Sequence, residues 1–193
     1  MSRLSAFKVA GFIALTTAVP AWAQTATPDI SDKLQLCATC HGEAGTPVKP
    51  EIPIIWGQNE YYIYVELKDY KAGRRANETM NPIAADLSKE EMQALAKHFS
   101  EQPWPATSFP SDDAAARKAQ SAMTAGACTS CHLGDLHGKS AIPRIADQQP
   151  VYLEKTILEL KNNVRQNAPA KTALFSTYPD DELKALAVYL SSR

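Results

Sequence analysis

The stretch Cys37-Ala38-Thr39-Cys40-His41 is repeated later in the chain as Cys128-Thr129-Ser130-Cys131-His132. Both stretches have the form Cys-x-x-Cys-His, and the second begins 91 residues after the first. The chain has four cysteines, and all four lie in these two motifs. Because the two matching motifs contain all the cysteines, the sequence predicts two sites of the same kind.

Each motif carries the residues that fix a haem covalently. Two thiols three positions apart can form thioethers with the two vinyl groups of one porphyrin, and the adjacent histidine can ligate the iron. We therefore predict two covalently bound haem c groups. The attachment residues and proximal iron ligands are Cys37, Cys40 and His41 for haem 1, and Cys128, Cys131 and His132 for haem 2.

Three other uses of paired cysteines fit the sequence less well. A zinc ribbon has its two pairs about 15–20 residues apart, whereas Cys128 follows Cys40 by 88 positions. A thioredoxin-like redox pair lies beside a βαβ pattern, and this chain has a helical pattern. Disulfides are common in exported proteins but leave both histidines without a role. These comparisons favour haem attachment.

The similarity between the two parts of the chain extends beyond the motifs. Identical residues recur at offsets of 90 or 91, as in Gln58 and Gln148, Tyr62 and Tyr152, Arg75 and Arg165, and Asn77 and Asn167. Such internal similarity indicates a duplicated unit. Each unit is small for a self-sufficient apolar core, and a haem supplies an apolar centre for short helices to surround.

Both units have the apolar spacing of helices. The last helix is the clearest, with apolar residues three or four positions apart. They are Met92, Leu95, Ala96 and Phe99 in the first unit, and Leu183, Leu186, Ala187 and Leu190 in the second. Ser88 and Glu91 are spaced as a capping box. Prolines in residues 103–110 predict a linker. We predict an all-α fold with one haem domain in residues 24–105 and another in residues 106–193.

The first 23 residues have the pattern of a secretory signal peptide. Arg3 and Lys8 give a positive start, residues 9–19 are largely apolar, and Ala21-Trp22-Ala23 is a small-x-small cleavage site. A retained membrane anchor is the alternative, but a membrane span takes about 20 apolar residues. We predict export, cleavage after Ala23 and a periplasmic location.

The charge of the chain bears on its partners. Its 193 residues include 20 Lys and Arg and 21 Asp and Glu, which gives a formal net charge of −1. This balance argues against a nucleic-acid partner, which requires a basic surface. We predict redox proteins as partners, while peripheral membrane contact and oligomeric state are left open.

Met80 is the predicted distal ligand of haem 1, because methionine opposite histidine raises the reduction potential of an electron-transfer haem. Two other methionines are predicted to pack rather than ligate: Met92 lies on an apolar helix face, and Met123 is only five residues before the second motif. Met80 lies 39 residues after His41, in residues 78–82, which are predicted to form a loop between two helices.

The second unit has no methionine at the position equivalent to Met80, which corresponds to Lys171 or Ala170 depending on the register. Lys171 is a candidate distal ligand if burial favours its neutral amine, and the alternative is a solvated loop lysine. His137 follows His132 by only five residues, on the proximal side. Haem 2 is therefore predicted to be five-coordinate, water-bound or lysine-bound.

These features together resemble the two-domain class I cytochromes c, and especially the cytochrome c4 family. The similarity includes both Cys-x-x-Cys-His motifs, Trp56-Gly57-Gln58, residues 67–77 and residues 80–84. It implies an all-α fold of two tandem class I cytochrome c domains related by a pseudo-twofold axis, and a role as an electron shuttle. The second unit departs from the pattern at Leu133 and Asp147, where the first unit has glycine.

The function predicted from these observations is electron transfer without catalysis. Each haem carries one electron from a donor, such as a quinol-oxidising complex or a dehydrogenase, towards a terminal oxidase or reductase. An open coordination site at haem 2 supports an alternative function, that of a haem enzyme or enzyme subunit acting on a small ligand or a sulfur compound.

Overall fold

The computed structural model describes residues 28–110 and 112–193, so the predicted signal peptide lies outside the described residues. These residues form nine helices. The first half contains α1 (Ser31–His41), α2 (Glu60–Lys71), α3 (Met80–Ala85) and α4 (Lys89–Ser100). The second half contains α5 (Asp113–Ala125), α6 (Cys128–His132), α7 (Pro150–Lys161), α8 (Pro169–Phe175) and α9 (Asp180–Ser191).

The duplication is visible in the order of the helices, because α2, α3 and α4 have the counterparts α7, α8 and α9. The motif-bearing helices differ. In the first half α1 runs without interruption into His41, whereas Ala127 takes a left-handed φ of 46° and separates α5 from α6. The second half therefore has five helices where the first has four.

The apolar faces predicted for the last helices are confirmed, since all four residues named above for α4 and all four for α9 are buried. The capping box of α4 is also confirmed. The Ser88 hydroxyl accepts a hydrogen bond from the Glu91 N–H at 3.1 Å, and the Ser88 N–H donates to the Glu91 carboxylate at 2.7 Å. This box satisfies N–H groups that have no partner within the helix.

Each half has its own apolar core. Met92, Leu95 and Phe99 of α4 pack with Ile63 of α2 in the first half, and the corresponding core of the second half is built around α5, α7 and α9. Residues 103–110, which the sequence predicts to be a linker, contain no helix. Within the two described ranges, no helix is long and apolar enough to cross a membrane.

The two glycine replacements in the second half keep the backbone of the residues they replace. Leu133 has a φ of 68° where Gly42 has 88°, and Asp147 has 59° where Gly57 has 68°. A left-handed φ costs about 1–2 kcal/mol for residues other than glycine. The second half therefore keeps the backbone conformation of the first half at these two positions, although the residues there are strained by it.

Candidate haem-binding site

A cavity of about 750 Å³ runs between the helices of both halves. The predicted site residues in its wall are Cys37, Cys40, His41 and Met80 from the first half, and Cys128, His132 and Lys171 from the second. Cys131 is exposed and lies outside this wall. The structure thus brings seven of the eight predicted residues to one continuous cavity, and both halves contribute to it.

His41 and His132 are held in the same way. His41 ends α1 and is 8% exposed, and its Nδ1 lies 2.9 Å from the Pro53 carbonyl. His132 ends α6 with the same exposure, and its Nδ1 lies 2.9 Å from the Pro143 carbonyl. A carbonyl oxygen only accepts, so each Nδ1 carries the hydrogen and each Nε2 keeps a free lone pair. That tautomer is the one an iron ligand needs.

Burial also favours the neutral form of both rings. Desolvation lowers the pKa of His41, and the bond to the Pro53 carbonyl opposes this effect only in part. The pKa of His132 is lowered by burial and further by the nearby charge of Lys171, again against the hydrogen bond to Pro143. A neutral imidazole is the form that binds a metal.

None of the four cysteines is paired with another in a disulfide, so all four sulfur atoms can serve the two motifs. Burial raises the pKa of the Cys37 thiol to about 11 and also raises that of Cys128, where the charge of Lys171 acts in the opposite direction. Among the described residues, no three His, Cys, Asp or Glu side chains converge to hold a metal ion. The donor set fits thioether attachment of a porphyrin, with one imidazole ready for its iron.

The prediction that Met80 lies in a loop was wrong. Met80 is the first residue of the short helix α3. The Asn77 side chain accepts hydrogen bonds from the N–H groups of Thr79 and Met80, at 3.0 and 2.8 Å, and so starts this short helix. Pro82 is compatible with it because the first-turn N–H groups have no partner within a helix. The half-buried Met80 is thereby held at the cavity wall.

The structure distinguishes between the two registers for the missing methionine. Lys171 is half-buried in α8 and lines the cavity, whereas Ala170 is exposed. Lys171 shares this cavity wall with Cys128 and His132 of the second motif. His137 is exposed and paired with Asp135 at 3.4 Å, away from the cavity wall.

Sequence reasoning missed a buried polar cluster between the halves. The Glu66 carboxylate lies 2.6 Å from the guanidinium of Arg75 and 2.6 Å from that of Arg165. Tyr152 accepts a hydrogen bond from Arg75 at 3.2 Å, and Tyr62 accepts one from Arg165 at 3.4 Å. These Tyr and Arg residues recur at an offset of 90, but recurrence by itself indicates only duplication and not contact.

Comparison with known proteins identifies the family. A family model described as cytochrome c oxidase, cbb3-type, subunit III, matches residues 114–190. The chain is 30% identical over 187 residues to a cytochrome c4 from Thiocapsa roseopersicina, an alignment that covers 86% of this chain and 95% of the relative. The chain belongs to the cytochrome c4 family.

Two further relatives agree with the cytochrome c4 assignment. Over 174 residues the chain is 31% identical to a thiosulfate dehydrogenase electron acceptor from Stutzerimonas stutzeri, covering 81% of this chain and 78% of that protein. A solved cytochrome c4 structure from Acidithiobacillus ferrooxidans superposes with a TM-score of 0.73 at 29% identity, covering 81% of this chain and 98% of that one.

These similarities confirm the main sequence predictions. The protein is a dihaem electron-transfer cytochrome with two tandem all-α class I cytochrome c domains. It carries two covalently bound haem c groups. It is an electron carrier rather than an enzyme, and its partners are redox proteins.

Proposed function

We propose that each half of this cytochrome holds one haem through its own motif, with the domains divided at residues 105 and 106. The ligand sets are Cys37, Cys40, His41 and Met80 for haem 1, and Cys128, Cys131, His132 and Lys171 for haem 2. The observation that carries the proposal is the matching geometry of the two histidines. Each is buried at a helix end, donates Nδ1–H to a proline carbonyl, and lines the same cavity.

The two halves are proposed to differ in the ligand that they place on the distal side. Met80 offers a thioether sulfur, which is soft and favours ferrous iron. Lys171 offers an amine, which ligates only when neutral and is a harder donor. Haem c supplies the exchangeable electron, and the protein sets its reduction potential through these ligands and through burial. Haem 1 is therefore the site of higher potential, on which electrons that enter at haem 2 settle.

Two buried cations of the cavity wall complete the proposed site. Arg75 and Arg165 are 8% and 7% exposed and line the cavity, and among the described residues Glu66 is the one carboxylate paired with either guanidinium. Buried charge is stable only when it is paired. The propionate carboxylates of haem c are anionic partners of the right kind, so these guanidinium groups would bind them.

We propose a dehydrogenase as the electron donor. Support comes from the Stutzerimonas stutzeri relative, which is named a thiosulfate dehydrogenase electron acceptor. A terminal oxidase or reductase is the proposed acceptor. We also propose export to the periplasm after cleavage at Ala23, because the first 23 residues have the pattern of a signal peptide.

Mass spectrometry of the purified, exported protein tests the site assignment. A chain that begins at Gln24 and carries two haems that acidic acetone does not extract is the expected result. Replacing Cys128 and Cys131 by alanine should remove one haem and leave the spectrum of the methionine-ligated haem. Loss of the other haem, or of none, would contradict the assignment. A chain that still begins at Met1 would contradict only the export proposal.

A further inference from the structure

One peptide group joins the proximal histidine of haem 1 to the other half of the molecule. The carbonyl of Pro53 accepts the hydrogen bond from His41 Nδ1 at 2.9 Å. On the other side of the same peptide bond, the N–H of Ile54 donates to Oε1 of Gln148 at 2.8 Å. We call this sequence of His41, the Pro53–Ile54 peptide and Gln148 the first hydrogen-bond chain.

The opposite half repeats this arrangement in the reverse direction. The Pro143 carbonyl accepts from His132 Nδ1 at 2.9 Å, and the N–H of Arg144 donates to Oε1 of Gln58 at 2.7 Å. His132, the Pro143–Arg144 peptide and Gln58 form the second hydrogen-bond chain. Each histidine is thus linked through a single peptide to a glutamine of the other half. Gln148 is 94 residues from Ile54 in the sequence, and Gln58 is 86 residues from Arg144.

Both glutamines are fixed at each end of the side-chain amide. Gln148 Nε2 donates to the Ile54 carbonyl and Gln58 Nε2 to the Arg144 carbonyl, both at 2.9 Å. Each Oε1 also accepts a hydrogen bond from the backbone N–H of the residue that follows the glutamine in the sequence, at 2.9 Å. Gln58 is 4% exposed and Gln148 is 3% exposed, so water does not compete for these hydrogen bonds. Because every partner is a backbone group, the amide orientation is determined.

We infer that Gln148 and Gln58 are positioning residues that adjust the reduction potential of the haem in the opposite half. This inference rests on the proposed function, in which His41 and His132 are the proximal ligands. Hydrogen bonds in series strengthen one another, so donation from Ile54 to Gln148 makes the Pro53 carbonyl a better acceptor. A stronger bond at Nδ1 makes the histidine a more basic ligand, as partners of metal-bound histidines do.

The direction of the effect follows from the charge of the iron. A more basic imidazole stabilises ferric iron and lowers the reduction potential. Removing Gln148 weakens the first hydrogen-bond chain, so the potential of haem 1 rises while that of haem 2 stays the same. Removing Gln58 raises the potential of haem 2 alone. Docking of the two halves is therefore part of how each haem obtains its potential.

Redox titration of Gln148→Met and Gln58→Met in the intact dihaem protein tests the inference. Methionine keeps the volume but removes the acceptor oxygen. We expect the one-electron equilibrium constant of the opposite haem to change about three- to tenfold, where tenfold corresponds to about 59 mV. The red charge-transfer band of methionine-ligated ferric haem follows haem 1, and the remaining absorbance follows haem 2. The hyperfine-shifted NMR signals of the ligating histidine rings should move in the same opposite-half pattern.

The matched control is Gln149→Met, which makes the same substitution at the next residue. Gln149 contributes only its backbone N–H, which donates to Gln148 Oε1, and its side chain takes no part in either hydrogen-bond chain. It should leave both potentials unchanged. A shift at the haem of the mutated half, an equal shift at both haems, or no shift would overturn the inference. If either methionine variant fails to fold, Gln148→Glu keeps the acceptor and must lower the potential of haem 1 more than that of haem 2.

Haem counting separates failure of this inference from failure of the proposed function. If the wild-type protein lacks a haem on either motif, the site assignment itself is wrong. If both haems are attached and the opposite-half pattern is absent, only the roles of Gln148 and Gln58 are wrong.

Discussion

The Glu66 carboxylate of the first half lies 2.6 Å from the Arg165 guanidinium of the second half, and both side chains are buried. Its other oxygen lies 2.6 Å from Arg75. The repeat has no second carboxylate here, because the position 90 residues after Glu66 is Thr156. One acidic side chain therefore bridges two cations across the contact between the halves.

Glu66→Ala should loosen this contact. Removing one partner of a buried ion pair leaves an uncompensated charge and costs about 3–5 kcal/mol. We expect the free energy of unfolding to fall by about that amount, measured by chemical denaturation, and the linker at residues 103–110 to be cleaved faster by proteases. Thr156→Ala is the matched control in the second half and should change the stability by less than about 1 kcal/mol. Equal effects of the two variants would contradict the bridging role of Glu66.

Met80→Ala should remove the red charge-transfer band of ferric haem and lower the potential of haem 1, because the thioether that favours ferrous iron is lost. Absorption spectroscopy of the oxidised protein measures the band. Met92→Leu is the control, since Met92 is 4% exposed in the core of the first half and a similar volume is retained. A band that survives in Met80→Ala would show that another residue ligates the iron.

Lys171→Met should create a second methionine-ligated haem. Lys171 starts from α8 and lines the same cavity as His132, so under the proposed ligand set a thioether at this position would be offered to haem 2. We expect the charge-transfer band to approach twice its wild-type strength and the potential of haem 2 to rise.

Lys171→Ala should instead remove the proposed amine ligand of haem 2. A high-spin ferric signal and binding of carbon monoxide to one reduced haem are expected. Lys139→Met, at an exposed position outside the cavity wall, is the control for loss of a positive charge. If haem 2 of Lys171→Ala keeps the wild-type spin state, lysine ligation is excluded.

Leu133→Gly should stabilise the second half. Leu133 is held at a φ of 68°, and relief of a left-handed backbone is worth about 1–2 kcal/mol. Glycine also increases the conformational entropy of the unfolded chain, which offsets about 0.4–1 kcal/mol of this stabilisation. A small net gain, visible as a higher melting temperature, is expected. The reverse change, Gly42→Leu, should prevent folding of the first half, because its Cβ would lie 1.9 Å from the Thr46 carbonyl oxygen. A lower melting temperature for Leu133→Gly would contradict the strain argument.

Local sequence patterns were sufficient for the attachment chemistry and for most helices. Cys-x-x-Cys-His places two thiols and an imidazole next to one another along the chain, so no long-range information is needed to read it. The buried residues of α4 and α9 follow from a 3.6-residue period, and the capping box from two residues three positions apart. The helix at Met80 was missed because its start depends on the side chain of Asn77, which competes with loop signals from Asn81 and Pro82.

Contacts between residues far apart in the chain required the folded structure. Repetition predicted that Gln58 and Gln148 are equivalent, but not that each accepts a hydrogen bond from the peptide that holds the motif histidine of the other half. In the same way, the sequence allowed Lys171 or Ala170 opposite the second motif, and only the orientation of α8 placed Lys171 in the cavity wall. Covalent chemistry and helix period are properties of neighbouring residues, whereas the pairing of two domains depends on which surfaces meet once both have folded.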